Sequence, residues 1–179
     1  MTKKALVAYC LLLVIIFFAH AVPSRATNYL LPLYMIAVPL VLGRRIKCSF
    51  SLKQIAYTLL TSLAVLLPTY VILSISRQYH LIGTAAIVTQ FARIAVPEEI
   101  FFRGFLQETL GNNVKGIVLA SLLFAVAHLP VFFFYHDSYA LLTFFPSLVL
   151  GFLYMKTSSI LPPVLFHFLA NVVFRGFMI

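Results

Sequence analysis

The sequence predicts an all-α fold: a polytopic membrane helix bundle of about seven transmembrane helices, with the N-terminus inside. Three observations lead there. Of 179 residues, 63% are hydrophobic and 9% charged, whereas a soluble domain carries about 25% charged residues. Mean hydropathy is +1.05. The apolar residues fall into runs of spanning or near-spanning length, and the basic residues collect between alternate runs. The length suits one bundle, so residues 1–179 read as a single membrane-embedded domain. Its motif-bearing core is about 81–177.

Each run has its own signature. Residues 5–22 follow Lys3 and Lys4. They read as a retained first helix, although Ala19-His20-Ala21 resembles a small-x-small cleavage site. Residues 28–42 carry Pro32 and Pro39. At about 1.5 Å per residue this run barely crosses a ~30 Å core, so it is kinked or extended at either end. The densest basic loop follows, Gly43-Arg44-Arg45-Ile46-Lys47 with Lys53 beyond it. Residues 54–75 make a full span with Pro68 inside. Residues 81–110 form a long run that contains Glu98 and Glu99. Residues 115–135, 139–155 and 160–177 complete the set.

Charge orients this layout. With the N-terminus inside, Lys3, Lys4, Arg44, Arg45, Lys47, Lys53, Lys115 and Lys156 fall on the cytoplasmic side. Only Arg25 and Arg77 fall in outer loops, and Arg93, Arg103 and Arg175 lie within spans. This is a strong positive-inside bias. It also accounts for the formal charge of +9. No basic face with interleaved aromatics exists, which excludes nucleic acid as a partner. Cys10 and Cys48 give neither metal spacing nor a disulfide framework.

Few strongly polar groups remain inside the spans: Glu98, Glu99, Arg103, His128, His167 and Asn171. A charge at membrane depth costs roughly 2.5–3.5 kcal/mol on insertion scales, so a chain that places two adjacent carboxyls there uses them. Counted from the cytoplasmic ends of their spans, Glu98, His128 and His167 all lie roughly 10–20 Å deep. Three helices can therefore bring them to one level.

Local spacing divides the roles. Glu98 and Glu99 are ~100° apart on a helix and point to different faces. Glu99 and Arg103 are spaced i,i+4 with the acid first, the favourable order for an ion pair. Glu98 is left without a fixed partner in an apolar setting, as a general base requires. Pro97 kinks or restarts the helix beside it. His167 and Asn171 are also i,i+4, and their shared face can hold a developing oxyanion. His128, four residues after Phe124, can help Glu98 hold a water or can hold a metal. Taken alone, Glu99–Arg103 also reads as a structural bridge, and a membrane histidine as an interhelical hydrogen-bond partner.

Glu98-Glu99-x-x-x-Arg103, Phe124-x-x-x-His128 and His167-x-x-x-Asn171, in that order on apolar helices, resemble the motif set of the CPBP family of intramembrane proteases. That family contains the type II CAAX prenyl endopeptidases and the bacterial Abi-like proteins. Gly151 and Thr157-Ser158-Ser159-Ile160 are similar to its segment ahead of the last histidine. The resemblance covers roughly residues 94–173.

It implies a membrane-embedded protease domain that hydrolyses a peptide bond in a membrane-anchored protein or peptide. In that reading Glu98 and His128 activate a water, His167 and Asn171 stabilise the oxyanion, and Glu99 and Arg103 support the site. The family has been described both as metalloproteases and as glutamate proteases. A zinc site would draw on Glu98, His128 and His167, but no HExxH spacing is present, and a metal-free, glutamate-activated water is expected. The chain is short for a prenyl protease, and its N-terminal half does not map to that pattern. CAAX-type cleavage and C-terminal sorting-signal processing both remain open as roles. The compact size and N-terminal charge pattern look bacterial, which puts the chain in the cell membrane. Two readings from other classes compete: a transporter or proton pathway through the same polar groups, and a non-catalytic immunity or scaffold protein of the same fold.

Overall fold

The computed structural model describes residues 1–178, and among them the secondary structure is entirely helical. Helix α1 (Lys3–Ala21) starts on Thr2, whose hydroxyl accepts from the Ala5 amide. Helix α2 (Arg25–Val41) starts on a capping box in which Ser24 and Thr27 satisfy each other's backbone amides. It runs through Pro32 and Pro39 without ending. Helix α3 is Leu52–Ser76. Helix α4 is one continuous helical run over residues 84–110. Helix α5 is Val114–Tyr135, broken at His128, and α6 is Ser138–Thr157, opening with a tight 3₁₀ stretch over Ser138–Thr143. Helix α7 is Leu161–Gly176. Four of these, α1, α3, α5 and α6, are long and apolar enough to cross a membrane.

Two details depart from the sequence expectation. Helix α4 is not regular: π-helical stretches at Gln90–Ala95 and Ile100–Gln107 flank a short α-helical segment, Val96–Glu99. Pro97 was expected to kink or restart the helix. Pro97 lies in the first turn of that α-helical segment, where the winding changes from π to α within a continuous helical run. Residues 115–135 were read as one span, and α5 fills it. It breaks at His128, two residues ahead of Pro130, because the proline ring disfavours a regular turn there.

Two apolar clusters form the core. One joins Ala5, Tyr9 and Leu12 of α1 to Phe101, Phe102 and Phe105 of α4 and Phe124 of α5. Tyr9 donates to the Leu123 carbonyl at 2.8 Å, and Tyr34 of α2 donates to the Ala8 carbonyl at 2.8 Å. The second cluster joins Leu66 of α3, Leu150 and Leu153 of α6 and Phe166 of α7. The polar residues of interest lie between the two.

One end of the bundle is fastened by polar contacts. The Ile160 amide donates to the Lys47 carbonyl at 2.9 Å, and Ser159 Oγ donates to the Ser49 carbonyl at 3.0 Å. Glu108 accepts from Lys47 Nζ and from the Tyr154 hydroxyl, each at 2.9 Å. These bonds tie the basic loop to the ends of α4 and α6 and the start of α7. At the opposite end, the His80 amide donates to the Gly176 carbonyl at 2.8 Å, and the rings of Tyr70, Tyr79 and Phe177 pack together. Arg93 ties α4 to the start of α2 by donating to the Asn28 carbonyl at 2.8 Å.

Candidate active site

The site is built on α4, α5 and α7, with α6 behind it. Glu99 and Arg103 are fully buried. Arg103 Nε lies 3.1 Å from Glu99 Oε2. The guanidinium also donates through Nη2 to Ser147 Oγ of α6 at 3.1 Å, and its carbon sits 5.2 Å from the centre of the Phe124 ring. A buried ion pair is costly to break, because removing one partner strands the other's charge.

The second oxygen of Glu99 reaches across to α7: His167 Nδ1 lies 2.7 Å from Glu99 Oε1. An ionised carboxylate only accepts, so Nδ1 carries the proton and donates. That fixes the imidazole and turns its other nitrogen toward Glu98, with Nε2 3.8 Å from Glu98 Oε2. This distance exceeds hydrogen-bonding range. Glu98 Oε2 and Glu99 Oε2 are both buried without a hydrogen-bond partner among the described residues. The two carboxyls differ in what stands beside them: Glu99 accepts from His167 on one oxygen and has the Arg103 charge beside the other, and Glu98 lines a cavity.

His128 is set by its own helix. At the break in α5 its Nδ1 donates to the Phe124 carbonyl at 2.9 Å, which leaves Nε2 as the open nitrogen of the ring. The Phe124 and His128 rings are 4.5 Å apart, and Phe124 also meets His167 edge-on at 6.1 Å. Phe124 is thus the apolar post between both histidines and Arg103.

Glu98, His128, His167 and Asn171 line one cavity of about 680 Å³ between α3, α4, α5, α6 and α7. Asn171 stands one turn beyond His167, about 6 Å along the axis. Glu99 and Arg103 lie behind the wall. The spacing-based reading named these six residues. It did not find the Glu99–His167 contact or Ser147, both of which depend on how separate helices pack. Gln90, buried and lining the same cavity, was overlooked although an amide in an apolar run is a readable signal. Among the described residues, no three His, Cys, Asp or Glu side chains form a group that could hold a metal ion. Glu98, His128 and His167 share the cavity without forming such a group.

Fold and site together define an all-helical integral membrane protein with a carboxylate–imidazole centre in its interior. The family model described as type II CAAX prenyl endopeptidase Rce1-like matches residues 80–173, just over half of the chain. The chain belongs to this protease family. The match covers α4, α5, α6 and most of α7, the helices that carry all six residues. No curated protein and no solved structure matches the chain.

Proposed function

We propose that the chain is an intramembrane endopeptidase of the glutamate type, acting on a membrane-anchored protein or peptide. The observation that carries this reading is the sharing of one cavity by Glu98, His128, His167 and Asn171, with Glu99 bridging Arg103 and His167. Glu98, with one oxygen unpartnered, takes a proton from water while the open nitrogen of His128 orients that water. The hydroxide attacks the scissile carbonyl carbon. The carbonyl oxygen becomes an oxyanion between His167 Nε2–H and the Asn171 amide. Glu98 then returns the proton to the departing amine.

For His167 to donate from Nε2 while Nδ1 donates to Glu99, the ring must be an imidazolium. No step is routed through a metal.

Seven crossings with the N-terminus inside are consistent with the basic loop, Lys115 and Lys156 sharing one end of the bundle. In this reading the chain is a cell-membrane protein of bacterial type. The test is cleavage by the purified chain in proteoliposomes of peptides carrying an apolar anchor. Glu98→Ala, His128→Ala and His167→Ala are each expected to lower turnover by at least about 100-fold, the scale of general acid–base and oxyanion contributions. Proton flux lost in Glu98→Gln, with cleavage absent from the wild type, would instead mark a proton pathway.

A further inference from the structure

The first 97 residues contain nine lysines and arginines and no aspartate or glutamate. At the end of the bundle that holds the basic loop, Lys47 meets Glu108 at 2.9 Å, and Arg44 lies 5.9 Å from the centre of the Phe105 ring. Lys3 and Lys4 are exposed there, and the ion pairs among the described residues do not include them. They are the first two residues of α1, whose first turn carries no acidic residue. The positive end of the helix dipole adds to their charge.

Both lysines line a groove of about 500 Å³ between the start of α1 and the end of α2. Lys3, Val7 and Leu11 recur every four residues along the α1 wall, and Tyr34, Val38 and Val41 form the α2 wall. Val7, Leu11 and Val41 are more than half exposed. At the inner end the Tyr34 hydroxyl donates to the Ala8 carbonyl at 2.8 Å and ties the two walls together. The groove therefore has two cations at one end and, from Lys3 to Leu11, about 12 Å of mostly apolar wall. No acidic side chain lines it, and it shares no residue with the catalytic cavity.

We propose that this groove binds an anionic phospholipid, with the headgroup phosphate at Lys3 and Lys4 and an acyl chain along Val7, Leu11, Val38 and Val41. Charge complementarity selects the headgroup. Basic side chains at headgroup level attract anionic lipid, whereas a zwitterionic headgroup brings its own cation and gains less. The walls select the tail. Hydrocarbon fills an apolar groove at membrane depth without stranding polar groups, whereas an extended peptide would leave its backbone amides unpaired there. The opposite face of α1 packs Tyr9 and Leu12 into the cluster that holds Phe101, Phe102 and Phe105 of α4. A lipid seated between α1 and α2 therefore braces the pair of helices that backs α4. The proposal does not rest on the peptidase reading.

Native mass spectrometry of the delipidated, detergent-purified chain reads the affinity of the first lipid bound. The titrants are phosphatidylglycerol and phosphatidylcholine with identical acyl chains. Phosphatidylglycerol is expected to bind about tenfold tighter, or ~1.4 kcal/mol. The double variant Lys3→Gln/Lys4→Gln is expected to bring the two lipids within about twofold of each other. Both lysines are exposed, so this variant leaves the core intact. Lys53→Gln/Lys156→Gln removes the same net charge at two other exposed positions and is expected to keep the preference. Val38→Trp fills the groove with both lysines in place and is expected to weaken binding of both lipids. Equal binding of the two lipids by the wild-type chain overturns the proposal. So does a preference that survives Lys3→Gln/Lys4→Gln, or one lost equally in Lys53→Gln/Lys156→Gln. Wild-type affinities in Val38→Trp overturn the groove as the place of binding.

Discussion

Glu99 is the residue on which the candidate site turns. Its two oxygens meet Arg103 and His167 with no exposure to solvent. Glu99→Gln keeps the shape and removes the charge that faces Arg103 and His167. Breaking one side of a buried pair costs about 3–5 kcal/mol. The variant is expected to lose that stability in denaturant titration of the detergent-solubilised chain. Adding Arg103→Gln is expected to restore part of it, since no stranded guanidinium remains. Unchanged stability in Glu99→Gln would show that the carboxylate does not hold the cluster. Half of this residue-level pattern was legible. The i,i+4 spacing of Glu99 and Arg103 is a property of one helix and can be read from the sequence. The bond to His167 joins positions 68 apart and depends on the register between α4 and α7, which spacing within either helix cannot give.

Single helices were predicted well in position and less well in shape. Every apolar run became a helix, because periodicity and end signals are local. The π-helical stretches of α4 and the break of α5 at His128 were missed. Pro97 and Pro130 were visible, but whether a proline kinks, ends or is absorbed into wider turns is decided by its neighbours. Gly151 makes a testable contact at this scale. A Cβ there would lie 2.8 Å from Ile117 Cγ2 and 3.0 Å from Gln107 Oε1. The Gln107 amide donates to the Gly151 carbonyl at 3.0 Å, so α4, α5 and α6 meet at this point. Gly151→Ala is expected to cost about 1–3 kcal/mol by overpacking, read as a lower unfolding midpoint in a mixed-micelle titration. A midpoint equal to wild type would mean that the three helices separate without penalty.

At the scale of the whole molecule, polar fastenings and charge coincide. The basic loop lies against the end of the bundle that carries Glu108, Tyr154 and Ile160. The positive-inside rule places that end in the cytoplasm. Cys48 lies in this loop and is exposed, which gives an orientation test without new cysteines. In a Cys10→Ser background, a membrane-impermeant maleimide is expected to label Cys48 in inverted vesicles and not in intact cells; the reverse pattern would invert the orientation. The cavity, in contrast, extends along α7 toward the other end of the bundle.

The central claim is that Glu98 activates the water that cleaves a membrane-anchored protein. The most direct measurement compares the membrane proteomes of cells carrying the wild-type chain with cells carrying Glu98→Ala at equal abundance. At least one membrane-anchored protein should accumulate uncleaved in the variant, with its shortened form present only beside the wild type. Identical proteomes, with the same shortened forms in both, would contradict the claim.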